Sequence, residues 1–224
     1  SSIESRTAKR AGEQRAASER SFHRAGQQHL LAIREQVQRI VETLETVGDF
    51  FESSTEVAEQ EFDGFVQGVL GRLPTIRAMQ WIPAVSHAQR AAFESAHRFD
   101  GRNVEIWERD AGGGKMRAGG RGEYFPVLFT VPRSDLATVI GFDIGSEQRR
   151  REAIHLAMRS GSAVASRPIA LVLDRQRLPG VLIVRPVYRE ALRGERPLQG
   201  FVATALIGRD LMEQAMARSP ATGI

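Results

Sequence analysis

The chain opens with 52 residues that contain no proline and are interrupted only by Gly12, Gly26 and Gly48. From Leu30 onward this stretch carries Leu30, Ile33, Val37, Ile40, Leu44, Val47 and Phe51, at spacings of 3, 4, 3, 4, 3 and 4. That alternation is the a/d seam of a coiled coil, so the segment is committed to one long helix. Leu31, Val41 and Phe50 widen the stripe. The first twenty residues are mostly Ala, Arg, Glu and Ser, good helix formers without a core face. The seam has two readings, a helix lying on its own domain or the contact line of a dimeric stalk. Both hold together if the far N-terminus is solvated and the C-terminal half is packed. Ile40, Leu44 and Val47 are expected at or near the dimer seam.

After the helix the pattern shortens. Ser53 with Glu56 forms a capping box that opens a second helix to about Arg72, with Val57, Phe62, Phe65, Val66 and Val69 as its core face. Ile76 to Ile82 reads as a strand. Ser86 with Gln89 opens a helix to about His97. Strands are expected at Val104 to Arg109, Tyr124 to Val131 and Thr138 to Ile144. Ser146 is the expected cap of a basic helix that stops at Gly161. Three strands follow, Pro168 to Asp174, Val181 to Tyr188 and Phe201 to Ile207, then a helix from Asp210. Pro179-Gly180 is hairpin chemistry, so the last three strands form an antiparallel meander. The fold class is α+β, a long N-terminal stalk helix and then an antiparallel sheet with helices on one face.

The chemistry of many function classes is missing. The net charge is +4 and the pI about 10.2. Yet only Lys9 and Lys115 among the 31 basic residues are lysines, and the arginines are interleaved with 27 acids. The basic footprint of a nucleic-acid binder is absent, so no nucleic-acid partner is expected. Without cysteine there is neither a disulfide framework nor a thiolate metal site. No run of about 18 apolar residues crosses a membrane. Gly114-Lys115-Met116 fails as a phosphate loop, because Arg109 stands where the motif needs glycine and Met116 where it needs Ser or Thr. It reads as a hairpin tip. The five histidines show no helical i, i+4 pair, and no metal or cofactor is expected. No G-x-S-x-G elbow anchors a hydrolase triad, and Asp143 with Glu147 is the nearest approach to acid/base chemistry.

Six stretches in order carry a family likeness: Trp81-Ile82-Pro83-Ala84-Val85 with Arg90 and Phe93, Glu123-Tyr124-Phe125-Pro126-Val127, Gly141-Phe142-Asp143, Ala157 to Gly161, Arg185-Pro186-Val187-Tyr188, and Gly200-Phe201-Val202. Over roughly residues 55 to 212 the chain resembles the CHASE family of extracytoplasmic sensor domains. The resemblance implies a long helix followed by a PAS-like module, usually dimeric, held outside the cytoplasmic membrane between two transmembrane helices. It implies service to a histidine kinase, nucleotide cyclase or diguanylate cyclase. In plant members the ligand is a cytokinin, gripped by an acid early in the helix after the G-F-D strand. Carried over, that position is Arg150, so the resemblance points away from cytokinin and toward an anionic ligand such as a carboxylate. The pocket-wall positions fall on Thr138, Ile144, Val172, Val184, Phe201 and Ala203, with Val184 in place of a plant threonine. Strand period agrees in grouping Ala170 with Val172, Leu182 with Val184, and Phe201 with Ala203 and Ala205.

The resulting expectation is a stalk over 1–52, a ligand-binding PAS-like domain over 53–212 and a tail toward the membrane over 213–224. Ser1-Ser2 reads as a cut or tag scar, so the parent is expected to continue on both sides. The chain is expected to be a non-enzymatic, small-molecule sensing domain in the periplasm, homodimeric through the stalk and part of a bacterial receptor anchored by flanking helices. The alternatives are a structural dimerisation module with a filled core, and a hydrolase-like enzyme.

Overall fold

A computed structural model describes residues 2–54, 57–73, 75–76, 78–131, 139–171, 179–189 and 195–218, with the backbone alone for 2–13, 16 and 17. The proline-free opening is one helix, α1, Ser2–Glu52. The other α-helices among the described residues are α2 (Glu59–Leu70), α3 (Arg90–Ala96), α4 (Gln148–Ser160) and α5 (Gly208–Arg218). The central sheet holds β1 (Ala78–Pro83), β2 (Phe129–Val131), β3 (Val164–Ala165), β4 (Ile169–Ala170), β5 (Pro179–Tyr188) and β6 (Leu198–Ile207). Its order is β4-β5-β6-β1-β2, with β3 also paired to β5, and every pair is antiparallel. The expected meander is β4-β5-β6, and the expected α+β class holds.

Two compact units emerge, residues 1–39 with 209–224, and residues 40–208. In the first, Gln36 is buried and its Nε2 donates to Gln214 Oε1 at 2.9 Å, while Ala215 is also buried. Phe22, Leu30 and Leu31 of α1 and Met212 and Met216 of α5 remain exposed.

The second unit is built around the sheet, and period 2 divides its side chains cleanly. One face carries Ala78, Gln80 and Ile82 of β1, Leu182 and Val184 of β5, and Phe201, Ala203 and Ala205 of β6, in register as Ala78↔Ala205↔Leu182 and Gln80↔Ala203↔Val184. These apolar residues cluster with Ala153, Ile154 and Ala157 of α4. The other face carries Met79 and Trp81, with Ile183, Arg185 and Val202. Here Phe51 of α1 meets Trp81 at 6.2 Å between ring centroids and Phe62 of α2 at 5.7 Å, and Phe62 meets Phe129 at 6.1 Å. Helices therefore cover both faces, not one. Ile40, Leu44 and Val47 are completely buried within the single chain. This half of the seam is used for the protein's own core, and the expected dimer contact there is corrected. Each such side chain contributes about 1.5–3 kcal/mol by leaving water.

Other elements differ in instructive ways. α2 starts after Ala58 without a side-chain cap, and Ser53 Oγ instead donates to the Phe50 carbonyl at the end of α1. Glu56 lies outside the described residues. The Tyr124 to Val131 strand splits into Glu123–Tyr124, paired with Val85–Ser86, and β2. Pro126, which has no N–H, stands at the break. Over Thr138 to Ile144 the described part, 139–144, is a turn making only single bridges, Trp107↔Phe142 and Pro126↔Asp143. Gly141 is the reason: its φ is +81°, and a Cβ there would strike the Glu105 carbonyl. Of Val104 to Arg109, only Trp107–Arg109 is a strand, paired with Lys115–Arg117, and the glycine segment is the hairpin tip expected. The Ser86–Gln89 capping box is present, closing one 3₁₀ turn before α3.

Candidate functional site

α4 is positioned by its first turn. Asp143 caps a 3₁₀ turn, Ile144–Ser146, and Glu147 then caps α4, its carboxylate accepting from the N–H groups of Arg149 and Arg150, both at 3.2 Å. The cap is thus Glu147, one residue beyond the expected Ser146. The helix ends at Gly161 in the left-handed conformation, as expected. Arg150, Ala153, Ile154 and Ala157 fall at i, i+3, i+4 and i+7, so they share the buried face. Arg149 and Arg151 do not: both are exposed, and they donate to the carbonyls of Pro168 and of Gly145.

Arg150 is 6% exposed. Its Nη2 donates to the Ala170 carbonyl at 2.8 Å, its Nη1 reaches Glu147 Oε2 at 3.4 Å, and its Cζ lies 5.5 Å from the centre of the Phe142 ring. Burial pulls the guanidinium below its usual pKa, Glu147 acts against that, and nearby Arg109 reinforces it. Glu147 itself is partly exposed, so among the described residues the buried cation is only weakly compensated.

Arg150 lines a cavity of about 20 Å³ between sheet and helix. The described wall is Gln80 of β1, Val127, Val139, Phe142 and Ile144 of the preceding loops, Ile169 and Leu171 at β4, Leu182 of β5 and Ala205 of β6. In this state the space suits about one water molecule. Of the positions proposed from sequence, Arg150 and Ile144 are brought together on this wall. Val184, Phe201 and Ala203 are buried in the same apolar cluster but off the described wall. Thr138 and Val172 lie outside the described residues. The parity of β4 is the reverse of that expected: Ile169 and Leu171 point inward, while Ala170 is exposed and offers its carbonyl. Gln80, Val127, Val139 and Phe142 were not foreseen. For Gln80 a signal existed, since it stands between Ala78 and Ile82 on one face of a strand.

Asp143, the candidate acid, is fully buried. Its Oδ1 accepts from the N–H groups of Phe125 and Gly145 at 2.9 and 3.0 Å, and its Oδ2 is 3.2 Å from Arg121 Nη1 without hydrogen-bond alignment. Burial raises its pKa despite those donors and Arg121. It ties two loops together, and among the described residues no nucleophilic side chain hydrogen-bonds its carboxylate. Among the described residues no group of three or more His, Cys, Asp or Glu could hold a metal, and no helix is long and apolar enough to cross a membrane.

On the opposite face Arg185 is equally deep, 5% exposed. Its Nε donates to Glu45 Oε2 at 2.9 Å, its Nη1 to Glu52 Oε1 at 2.8 Å, and its Nη2 to Asp49. Gly48 lies under the guanidinium, where a Cβ would collide with it. A larger cleft of about 410 Å³ opens on this side, walled by Phe51, Trp81, Phe93 and His97 among others.

A family model described as CHASE domain matches residues 55–224. No curated protein matches the chain. Among solved structures, an extracellular ligand binding receptor from Desulfohalobium retbaense aligns with a TM-score of 0.52 at 10% identity, over 85% of this chain and 26% of that one. The chain thus spans about a quarter of that receptor, and the likeness is one of fold. A methyl-accepting chemotaxis protein X aligns over 81% of this chain and 63% of its own at 11% identity, with a TM-score of 0.36, too low to compare folds. The match over three quarters of the chain, on a fold with the expected helix and antiparallel sheet, places it: the chain belongs to the CHASE domain family, extracytoplasmic sensory domains of signalling receptors with no catalytic role of their own.

Proposed function

We propose that this domain senses a small anionic ligand, a carboxylate in the first instance, in the cavity beneath α4, with Arg150 as its charged anchor. The observation that carries the reading is the state of Arg150: a buried cation that, among the described residues, faces one partly exposed carboxylate and is repelled by Arg109. A buried charge is stable when paired, and this one has room for a stronger partner. The 20 Å³ cavity must widen to admit anything larger than water, so binding selects or creates a more open arrangement of α4 against the sheet.

The output route follows from β5. Leu182 lines the cavity from one face of that strand, and three residues on Arg185 grips α1 from the other. A displacement of β5 is therefore felt by Glu45, Asp49 and Glu52. The domain works as a homodimer through α1 in the periplasm, within a bacterial receptor whose cytoplasmic part is a kinase or cyclase. Phe22, Leu30 and Leu31, apolar residues left exposed on α1 before its buried stretch from Ile40, support a contact there.

A second reading, a structural dimerisation module, is favoured by the smallness of the cavity. It leaves the burial of Arg150 as a cost without a return. Native mass spectrometry of the purified chain separates the two. A retained acid, lost in Arg150→Ala and kept in Arg149→Ala and Arg151→Ala, supports sensing. Equal retention in all three variants removes Arg150 from the site. Binding in wild type exceeds that of Arg150→Ala about tenfold to a hundredfold, the range of a buried charge-assisted bond. Leu30→Asp with Leu31→Asp lowers the dimer population in light scattering if the stalk contact is where the exposed residues place it.

A further inference from the structure

Gln80 is, with Arg150, one of two polar side chains on the described wall of the cavity, and it is the one supplied by the sheet. It is 5% exposed, and no hydrogen bond joins its amide to another described residue. Its cross-strand partner on β2 is Thr130, on the same face. Thr130 is buried too, and among the described residues its hydroxyl has no hydrogen-bond partner. Buried amides and hydroxyls are normally satisfied, because an unpaired one loses water and gains nothing. An amide with no hydrogen bond to a described residue on the cavity wall, and an unsatisfied hydroxyl beside it on the neighbouring strand, mark a place where hydrogen bonds are made to something else.

We infer that Gln80 is the specificity-determining residue of the cavity, hydrogen-bonding a hydroxyl or carbonyl group of the acid whose carboxylate faces Arg150, with Thr130 beside it as a supporting group. This rests on the reading of the cavity as the ligand site and names the ligand class more narrowly: a small carboxylic acid bearing a second oxygen function. An amide both donates and accepts, so it serves either a hydroxyl or a carbonyl. A site built to hydrogen-bond such a group discriminates strongly against an acid that lacks it, since the amide is then left unpaired.

The test has two arms on the full 224-residue chain, read as thermal midpoint. The first needs no ligand. Gln80→Glu sets a carboxylate in the cavity, and opposite Arg150 it acts as a built-in anion. The midpoint is expected to hold or rise in the wild-type background and to fall by more than about 4 °C in the Arg150→Ala background, the shift of about one or two kcal/mol in a chain of this size. An equal fall in both backgrounds means that the two side chains do not share the cavity, and overturns the inference. Gln80→Leu guards against misfolding of the double variant: its midpoint is expected to be unchanged or higher, and a fall of several degrees makes Gln80 a structural residue and overturns the inference. The second arm compares glycolate with acetate. Glycolate is expected to raise the wild-type midpoint more than acetate, with the difference abolished in Gln80→Leu and both effects abolished in Arg150→Ala. Equal effects of the two acids on wild type overturn the role of Gln80 and leave Arg150 as anchor. No effect of either acid, with no acid retained on purification, overturns the ligand reading and this inference with it.

Discussion

Arg150 and Arg185 are buried to nearly the same depth on opposite sides of one sheet, at 6% and 5% exposure, but they keep different company. Arg185 meets three carboxylates drawn from one face of α1, and local negative charge exceeds positive. Among the described residues Arg150 meets one carboxylate at 3.4 Å, a backbone carbonyl and a second arginine within electrostatic reach. Burying a guanidinium costs several kcal/mol in either place, and only a well-bonded partner set offsets it. The first side is therefore complete in itself. The second, among the described residues, has only the carboxylate of the partly exposed Glu147 to offset its cation, and the proposed anion would complete it. Depth alone says little about whether a charged residue is structural. The partner count says more.

Substitutions can break that contrast, in descending order of effect. Arg185→Ala is expected to cost about 3 kcal/mol in denaturant unfolding, the low end for removing one partner of a buried ion pair, because Glu45 and Asp49 are exposed enough to rehydrate. A loss below about 1 kcal/mol would make the clamp ornamental and the contrast void. Gly48→Ala removes the notch under the guanidinium, and a destabilisation of about 1–2 kcal/mol is expected from the collision, even though alanine is the better helix former. A stabilised variant would show that Arg185 has a second resting place. Arg150→Met replaces a poorly compensated cation by an apolar side chain of similar length, so the stability change is expected within about 1 kcal/mol of zero in either direction. A loss as large as that of Arg185→Ala would place both arginines in one class. Asp49→Asn sharpens the clamp: its carboxylate is the most exposed of the three, and the expected cost is about 0.5 kcal/mol, shrinking as salt is added.

What was legible in the sequence follows the range of the interactions. α1, the β4-β5-β6 meander and the Gly161 stop rest on local period and capping, and they appear where the pattern puts them. The 139–144 turn does not, because apolar content reads as strand, while the left-handed Gly141 is forced by the carbonyl of Glu105, more than thirty residues away. Arg150 stands in a run of three arginines, and composition cannot tell which is buried. The i, i+3, i+4, i+7 relation to Ala153, Ile154 and Ala157 can, since those residues mark the inner face. The inward parity of β4 was hidden because Ile169 to Val172 are apolar or small on both faces, with nothing polar to break the tie. The Arg185 clamp joins β5 to residues 133 to 140 positions earlier, a pairing no local pattern encodes.

The spacing of that clamp has a mechanical consequence. Glu45, Asp49 and Glu52 recur at four and three residues, so successive acids stand about one helical turn, or 5.4 Å, apart along α1. A slide of a full turn would bring another acid toward the guanidinium, whereas a slide of one residue, about 1.5 Å with a turn of some 100°, would carry all three off its face. Such a helix has seats with barriers between them. Gly48 singles out one seat, because the residues a turn to either side, Leu44 and Glu52, carry side chains where the guanidinium now rests on bare backbone. If the proposed ligand displaces β5, the clamp favours a stepwise answer from the Glu45–Glu52 stretch over a gradual one.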